Sequence, residues 1–127
     1  MKRIDQLDPN FRVDGIIPPE YTLYDPMDEP FRIYGLSPNE EGSYRRLPVS
    51  LLPRCSEGVQ NLSRHLAGGI VRFATDSPGL GLVWQLTGEG NMPHFTACGQ
   101  SGMELFEEWE GGFRQIRNFM PRMNNGC

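Results

Sequence analysis

The feature of this sequence that most constrains its fold is the lack of any sustained run in which apolar residues recur every three to four positions. The stretch "GVQNLSRHLAGG" predicts one or two helical turns that end before Gly68, and no longer helix is indicated. Several short runs of β-type residues lie between turn signals instead. We therefore expect an all-β fold, organised as an antiparallel β-sandwich.

The N-terminal part of the chain has prolines at positions Pro18, Pro19, Pro26 and Pro30. Each proline removes a backbone N–H donor and fixes φ, which excludes a helix here. A chain of 127 residues is long enough for one domain with a modest core. We predict an extended Pro-rich arm over residues 1–30 and a β-sandwich domain over residues 31–127. The last residues, "RNFMPRMNNGC", close no further hairpin, so this domain is expected to be incomplete at its C-terminal side.

Charge and targeting signals exclude several classes of partner. The net charge of −4 at pH 7 provides no basic surface for nucleic acid. No apolar run approaches the roughly 18 residues that a membrane span needs. Because no signal peptide is visible, we expect a cytoplasmic chain, or a secreted one if a leader has been removed. The cysteines Cys55, Cys98 and Cys127 are too widely spaced for a disulfide framework or a zinc site, which favours a reducing compartment.

Local sequence patterns predict two strands near the start of the expected sandwich domain. In "FRIYGL", Phe31 and Ile33 alternate with Arg32 and Tyr34, as in a short strand. The stretch "SYRRLPVSLLP" predicts another strand that ends at Pro48.

The stretch "IVRFATDSPGLGLVWQLTG" predicts a β-hairpin around residues 76–79. Proline fixes φ at the second turn position, and glycine accepts positive φ at a later one. Alternate residues of each run share one face: Val71, Phe73 and Thr75 in the first, and Leu82, Trp84 and Leu86 in the second.

The stretch "GQSGMELFEEWEGGF" predicts a second hairpin, with a glycine-rich loop. A three-residue loop at 110–112 would place Trp109 opposite Phe113 and Glu108 opposite Arg114. Such cross-strand pairs contribute about 0.2–1 kcal/mol each, so we predict this register in preference to a two-residue loop.

The acidic run and the two histidines are the candidates for catalytic carboxylates and metal ligands. Glycoside hydrolysis needs two carboxyl groups that flank one bond, but Glu104 and Glu108 share a strand face while Glu107 lies on the other. We interpret the run as a solvated face with Glu108 paired to Arg114. Neither histidine has another ligand at metal-binding spacing, so no metal and no cofactor are expected.

Four sequence blocks occur in the order found in a known family: "YRRLP", "VQNLSRHLAGGIVRFATDSP", "MPHFTACGQSG" and "GMELF". Together they cover about residues 31–113, and they resemble the N-terminal domain that precedes the catalytic domain in many bacterial SGNH-hydrolase (GDSL-type) esterases. That domain is named for a Gly-x-Asp-Leu-Tyr motif. Here residues 102–106 match it, with Glu104 in place of the aspartate and Phe106 in place of the tyrosine.

The resemblance implies a jelly-roll-like accessory domain packed beside the catalytic domain of the same polypeptide. Enzymes of this type carry their serine in a Gly-Asp-Ser block and their base in an Asp-x-x-His block. This sequence has no Gly-Asp-Ser, and neither His65 nor His94 follows an aspartate at that spacing. We therefore expect a non-catalytic accessory domain whose parent protein is a hydrolase.

The expected binding or docking surface lies at one end of the sandwich, where loops gather. Gly102 and Leu105 are expected to be structural, since Met103 and Leu105 face the core while alternate residues face away. The candidate surface residues are Met92, His94, Phe95, Glu104 and Phe106.

Two other functions are weighed against this one. In the first, the chain is a free-standing carbohydrate-binding module whose exposed aromatic residues, such as Trp84, Phe106 and Trp109, stack on sugar rings. In the second, it is a small thiol hydrolase that uses Cys98 with His94 as its base. An open sheet edge or an uncovered apolar patch would also favour a homo-oligomer.

Overall fold

The computed structural model describes residues 18–39, 42–86, 88 and 92–120. Within this part of the chain, short strands predominate and the helices are few and short, in agreement with the predicted all-β class. The elements are β1 (Arg32–Tyr34), β2 (Ser37–Pro38), β3 (Tyr44–Arg45), a 3₁₀ helix (Val49–Arg54), α1 (Glu57–Leu62), β4 (Ile70–Arg72), α2 (Ala97–Ser101), β5 (Met103–Trp109) and β6 (Gly112–Phe119).

The strands form three two-stranded antiparallel sheets, with β1 beside β4, β2 beside β3 and β5 beside β6. The chain divides into two compact units, Met1–Asp76 and Ser77–Cys127. Residues 18–30 form turns and contain no helix or strand, while residues 1–17 of the predicted arm lie outside the described residues. The division into an arm and a sandwich domain stays a prediction.

In the first unit, strand β1 has the predicted alternation. Ile33 is half-buried between the exposed Arg32 and Tyr34, and it lies opposite Val71 of β4. Aromatic rings extend this contact, because Phe31 lies 5.5 Å from Phe73 between ring centroids. Apolar side chains next to the paired strands therefore hold the β1–β4 sheet together.

The hairpin predicted around residues 76–79 is wrong. Strand β4 pairs with β1, and residues 73–86 contain no strand. The turn signal at residues 76–79 favours a local hairpin, but β4 pairs with the distant strand β1 instead. This pairing brings the Phe31 and Phe73 rings together. The predicted turn instead falls at the boundary between the two units, which lies after Asp76.

The short helix predicted before Gly68 is confirmed as α1. Ser56 is its N-cap, and the Ser56 hydroxyl accepts a hydrogen bond from the Val59 backbone N–H. At the other end, the Arg46 backbone N–H donates to the Ser63 carbonyl at 2.8 Å. The Arg46 guanidinium also donates to the Leu62 carbonyl at 3.0 Å, so one residue satisfies two carbonyls at the helix end.

In the second unit, the predicted β5–β6 hairpin is confirmed but its register is wrong. Trp109 lies opposite Gly112, so the loop has two residues, Glu110 and Gly111. Both have positive φ, 48° and 79°, which is the pattern of a type I′ turn. This turn matches the twist of the flanking strands better than a longer loop does, and it replaces the expected aromatic and charge pairs.

Large apolar side chains of this chain lie close to its surface. Among the described residues, none of the large side chains is fully buried. Within the same residues, no helix is both long and apolar enough to cross a membrane. The apolar residues of the hairpin are therefore open to contact with another surface.

Candidate functional site

The candidate site begins with a short loop, residues 92–96, that leads into α2. The Phe95 backbone N–H donates to the Met92 carbonyl at 2.9 Å, and the Met92 N–H donates to the Gln100 side-chain oxygen at 3.1 Å. Thr96 is the N-cap of α2, and its hydroxyl accepts from the Gly99 N–H. These hydrogen bonds fix the loop against the first turn of the helix.

Three predicted site residues lie together on this loop. Met92, His94 and Phe95 are all exposed, and Phe95 retains 53% of its accessible surface. The His94 and Phe95 rings meet edge to face, with centroids 5.2 Å apart. The loop therefore presents an apolar surface with an imidazole at its side.

Gly102 connects α2 to strand β5 at a point where there is no room for a side chain. Its N–H donates to the Cys98 carbonyl at 2.8 Å. A Cβ at this position would lie 2.5 Å from the same carbonyl oxygen and 2.8 Å from the Phe119 carbonyl oxygen. Because both are backbone atoms that cannot rotate away, close packing of the helix end against β6 requires glycine here.

Alternation along β5 separates the next four motif residues onto two faces. Leu105 is half-buried and shares its face with Met103, which is 40% exposed although the sequence predicts it in the core. Glu104 and Phe106 point to the opposite face and are exposed, Phe106 by 49%. We call this opposite face, with the residues of β6 that lie across from it, the outer face.

The outer face consists of three cross-strand pairs. A bulge in β6 places Ile116 outside the pairing and keeps the face continuous on either side of it. All six paired side chains are exposed, and of the two phenylalanines Phe113 is the more exposed, at 68%. The pairs are Glu104 with Asn118, Phe106 with Gln115, and Glu108 with Phe113.

The face of the hairpin opposite to the outer face, which we call the inner face, holds an ion pair of Arg114. The sequence assigned this arginine to a different glutamate. Arg114 pairs with Glu107, which lies directly opposite, so the predicted placement of Glu108 opposite Arg114 is wrong. The Arg114 guanidinium also lies 4.0 Å from the centroid of the Trp109 ring. The two-residue loop brings Glu107, Arg114 and Trp109 together. The three-residue register predicted from the sequence does not place Glu107 opposite Arg114, so it does not predict this cluster.

The predicted site residues are only partly brought together. Within the described residues, no hydrogen bond or ring contact joins the outer-face pair, Glu104 and Phe106, to the loop residues Met92, His94 and Phe95. Among the same residues, no group of three or more acidic, histidine or cysteine side chains is placed to hold a metal ion. The candidate site therefore consists of two separate parts of the second unit, the 92–95 loop and the outer face.

Two residues considered for other functions have structural contacts. Cys98 is a free, half-buried thiol, and its sulfur lies close to the position that a Cβ at Gly102 would occupy. Among the described residues, no hydrogen bond joins this thiol to His94. The Trp84 indole N–H donates to the Ser101 carbonyl at 3.2 Å, and its ring is half-buried. Cys127 lies outside the described residues.

Comparison with known proteins assigns residues 21–126 to one family model. Its description is GxDLY, the N-terminus of SGNH-hydrolase-type esterases. A search of curated proteins and a search of solved structures each found no match. The matched region contains both parts of the candidate site.

Proposed function

Because the chain belongs to the GxDLY family, the N-terminus of SGNH-hydrolase-type esterases, we propose that it is a non-catalytic accessory domain that docks onto and shapes the catalytic domain of the same polypeptide. The observation that carries this proposal is the exposure of the apolar side chains on the 92–95 loop and on the outer face. Docking would cover aromatic and apolar side chains that the chain leaves open to water.

The proposed docking residues are Met92, His94, Phe95, Glu104 and Phe106, with Gly102 and Leu105 holding β5 in place. Support comes from the loop hydrogen bonds, which fix Phe95, and from the lack of space at Gly102, which fixes the start of the strand. A rigid apolar patch loses little conformational entropy when it binds, which favours affinity.

We further propose that residues 31–127 belong to a jelly-roll-like β-sandwich, preceded by the Pro-rich arm 1–30. The small antiparallel sheets and the short helices are consistent with an all-β architecture of this kind. Strands beyond those of the described residues would complete the sandwich. A crystal structure of the longer polypeptide tests this directly, since a sheet completed by neither this region nor the next would contradict it.

The test of function starts from the reading frame downstream of Cys127. The proposal requires a Gly-Asp-Ser block followed by an Asp-x-x-His block, and a frame without them contradicts it. The purified chain alone should not hydrolyse short acyl esters above the buffer rate. Turnover that Cys98→Ala or His94→Ala abolishes would instead establish the thiol hydrolase alternative.

Carbohydrate contact is a second candidate function, and the exposed Trp109 favours it. Its ring is 51% exposed, with the Arg114–Glu107 pair beside it to provide hydrogen-bond donors and acceptors. Titration of the chain with soluble oligosaccharides, followed by tryptophan fluorescence, tests this function. Binding should be lost in Trp109→Ala and kept in Trp84→Phe, and no response to any sugar would reject it.

A further inference from the structure

The GxDLY motif of the family divides between the two faces of strand β5. Gly102 is required because a Cβ would collide with two backbone carbonyls, and Leu105 is half-buried on the inner face. Glu104 and Phe106, which stand at the Asp and Tyr positions of the motif, both lie on the exposed outer face. Half of the motif therefore serves the fold of this unit, and the other half does not.

A residue type that defines a family needs a physical reason. At Gly102 and Leu105 the reason is packing. At the two outward positions the fold sets no limit on residue type, because both side chains are exposed. An aromatic ring that is 49% exposed leaves apolar surface in water, which folding alone does not favour. Both positions are therefore available for contact with a partner, and because the region is described as the N-terminus of SGNH-type esterases, the rest of such an enzyme is the candidate.

The chemistry of the outer face indicates what such a partner must offer. Its six paired positions hold two phenylalanines, two glutamates, one asparagine and one glutamine, and none of them is a lysine or arginine. The cations of the hairpin, Arg114 and Arg117, lie across from Glu107 and Leu105 on the inner face. A complementary surface is an apolar pocket with basic side chains at its rim.

The end of the hairpin lies close to the end of the family region. Strand β6 ends at Phe119, and the family match ends seven residues later, at 126. Seven residues span at most about 25 Å, so the end of the family match lies within that distance of the hairpin. A domain joined close to this end would meet the hairpin at a raised effective concentration, and a modest patch would then be sufficient for docking.

We infer that Glu104 and Phe106 are the contact through which this chain holds the SGNH catalytic domain. Phe106 enters an apolar pocket of that domain, and Glu104 pairs with a basic group at the pocket rim. The inference rests on the proposed function and deepens it, because it names the contact and the chemistry of the partner surface. It places the main contact on the outer face of the hairpin.

The test measures amide hydrogen exchange in the 127-residue chain and in the longer polypeptide that carries the catalytic domain. The inference predicts that amides of β5 and β6 exchange on the order of tenfold or more slowly in the longer polypeptide. Phe106→Ser and Glu104→Lys should each abolish this slowing. Phe106→Tyr and Glu104→Asp, which restore the family motif, should retain it.

Matched controls come from the other unit. Tyr34→Ser removes an aromatic ring of equal exposure, 51%, from strand β1, and Glu20→Lys reverses an exposed carboxylate. Both controls should keep the slow exchange of β5 and β6. Circular dichroism of each variant in the 127-residue chain should match the parent chain, since all four side chains are exposed.

Three results would overturn the inference, and they differ in what they say of the proposed function. If the catalytic domain slows exchange nowhere in the chain, the docking function fails as well. If slowing is confined to other segments, such as residues 92–96, the outer-face contact is wrong and docking stands. If β5 and β6 are protected in the isolated chain in proportion to its concentration, a second copy covers the outer face instead.

Discussion

Replacing Gly111 and Gly112 by alanine, one at a time, tests the hairpin turn. Gly111 has a φ of +79°, and a Cβ added there meets no atom within 4 Å. The cost of Gly111→Ala therefore comes from the left-handed backbone alone, about 1–2 kcal/mol for an L-residue. Gly112 lies outside that region, and its Cβ would make only an ordinary contact, 3.8 Å from the Trp109 carbonyl oxygen.

The two substitutions should consequently have opposite effects on the free energy of unfolding. Gly112→Ala reduces the freedom of the unfolded chain and should stabilise by about 0.4–1 kcal/mol. The difference between the two variants is then about 2 kcal/mol. Glu110→Asn is a third arm, because Glu110 has a φ of 48° and asparagine adopts that region more readily, so this variant should also be stabilised.

Urea denaturation followed by tryptophan fluorescence provides the measurement. Both tryptophans, Trp84 and Trp109, belong to the unit that contains the hairpin, so the signal reports its unfolding. A three-residue loop would place its left-handed residue last, at Gly112. If Gly112→Ala destabilises more than Gly111→Ala, the two-residue turn is wrong.

Three more outcomes are expected. Gly102→Ala should destabilise the same unit by more than about 3 kcal/mol, measured in the same assay, because its Cβ would meet two backbone carbonyls; a stable variant would contradict that collision. The double variant His94→Ala/Phe95→Ser should reduce any self-association seen by light scattering, and an unchanged particle size would exclude this loop as the contact. Burial, aided by the charge of Asp25, raises the pKa of Tyr44. The contribution of Tyr44 to the free energy of unfolding should be fully present below pH 10 and should be lost as the pH rises through the folded-state pKa of Tyr44. Denaturation measured at each pH should show this loss in the parent chain and not in Tyr44→Phe.

Elements that depend on local patterns could be predicted from the sequence. Strand β1 follows from the alternation around Ile33, and α1 follows from a short apolar spacing that ends near Gly68. Helix α2 was missed because its residues are small and glycine-rich. The signal that could have located it is Thr96, an N-cap residue type directly before those residues.

Pairings between distant segments could not be predicted in the same way. The turn signal at residues 76–79 favours a local hairpin, whereas β4 finds its partner in β1. That choice depends on the contact between Phe31 and Phe73, which no short window of sequence contains. The hairpin register failed for a related reason, since the cross-strand pairs of a three-residue loop favour that register and a glutamate at positive φ is unusual.

For the candidate site, sequence reasoning could identify residue types and strand faces but could not locate neighbours. The prediction that Leu105 and Phe106 point to opposite faces of β5 follows from strand alternation, and of the two Leu105 is half-buried while Phe106 is exposed. The partner of Arg114 depends on the register, so an error of one residue moved the ion pair from Glu107 to Glu108. A single shift therefore leaves the faces of β5 intact and changes every contact across the strands.

The two departures from the family motif follow the same division between packing and exposure. The positions limited by space, Gly102 and Leu105, keep the motif residues, whereas Glu104 and Phe106 differ from the motif. Glutamate keeps the charge of aspartate and extends it by one methylene, and phenylalanine keeps the ring of tyrosine without its hydroxyl. Because both side chains are exposed, these changes cost the fold of this chain little. Their consequence falls on the partner surface, which must accept a longer carboxylate and must satisfy by other means any group that the tyrosine hydroxyl would bind.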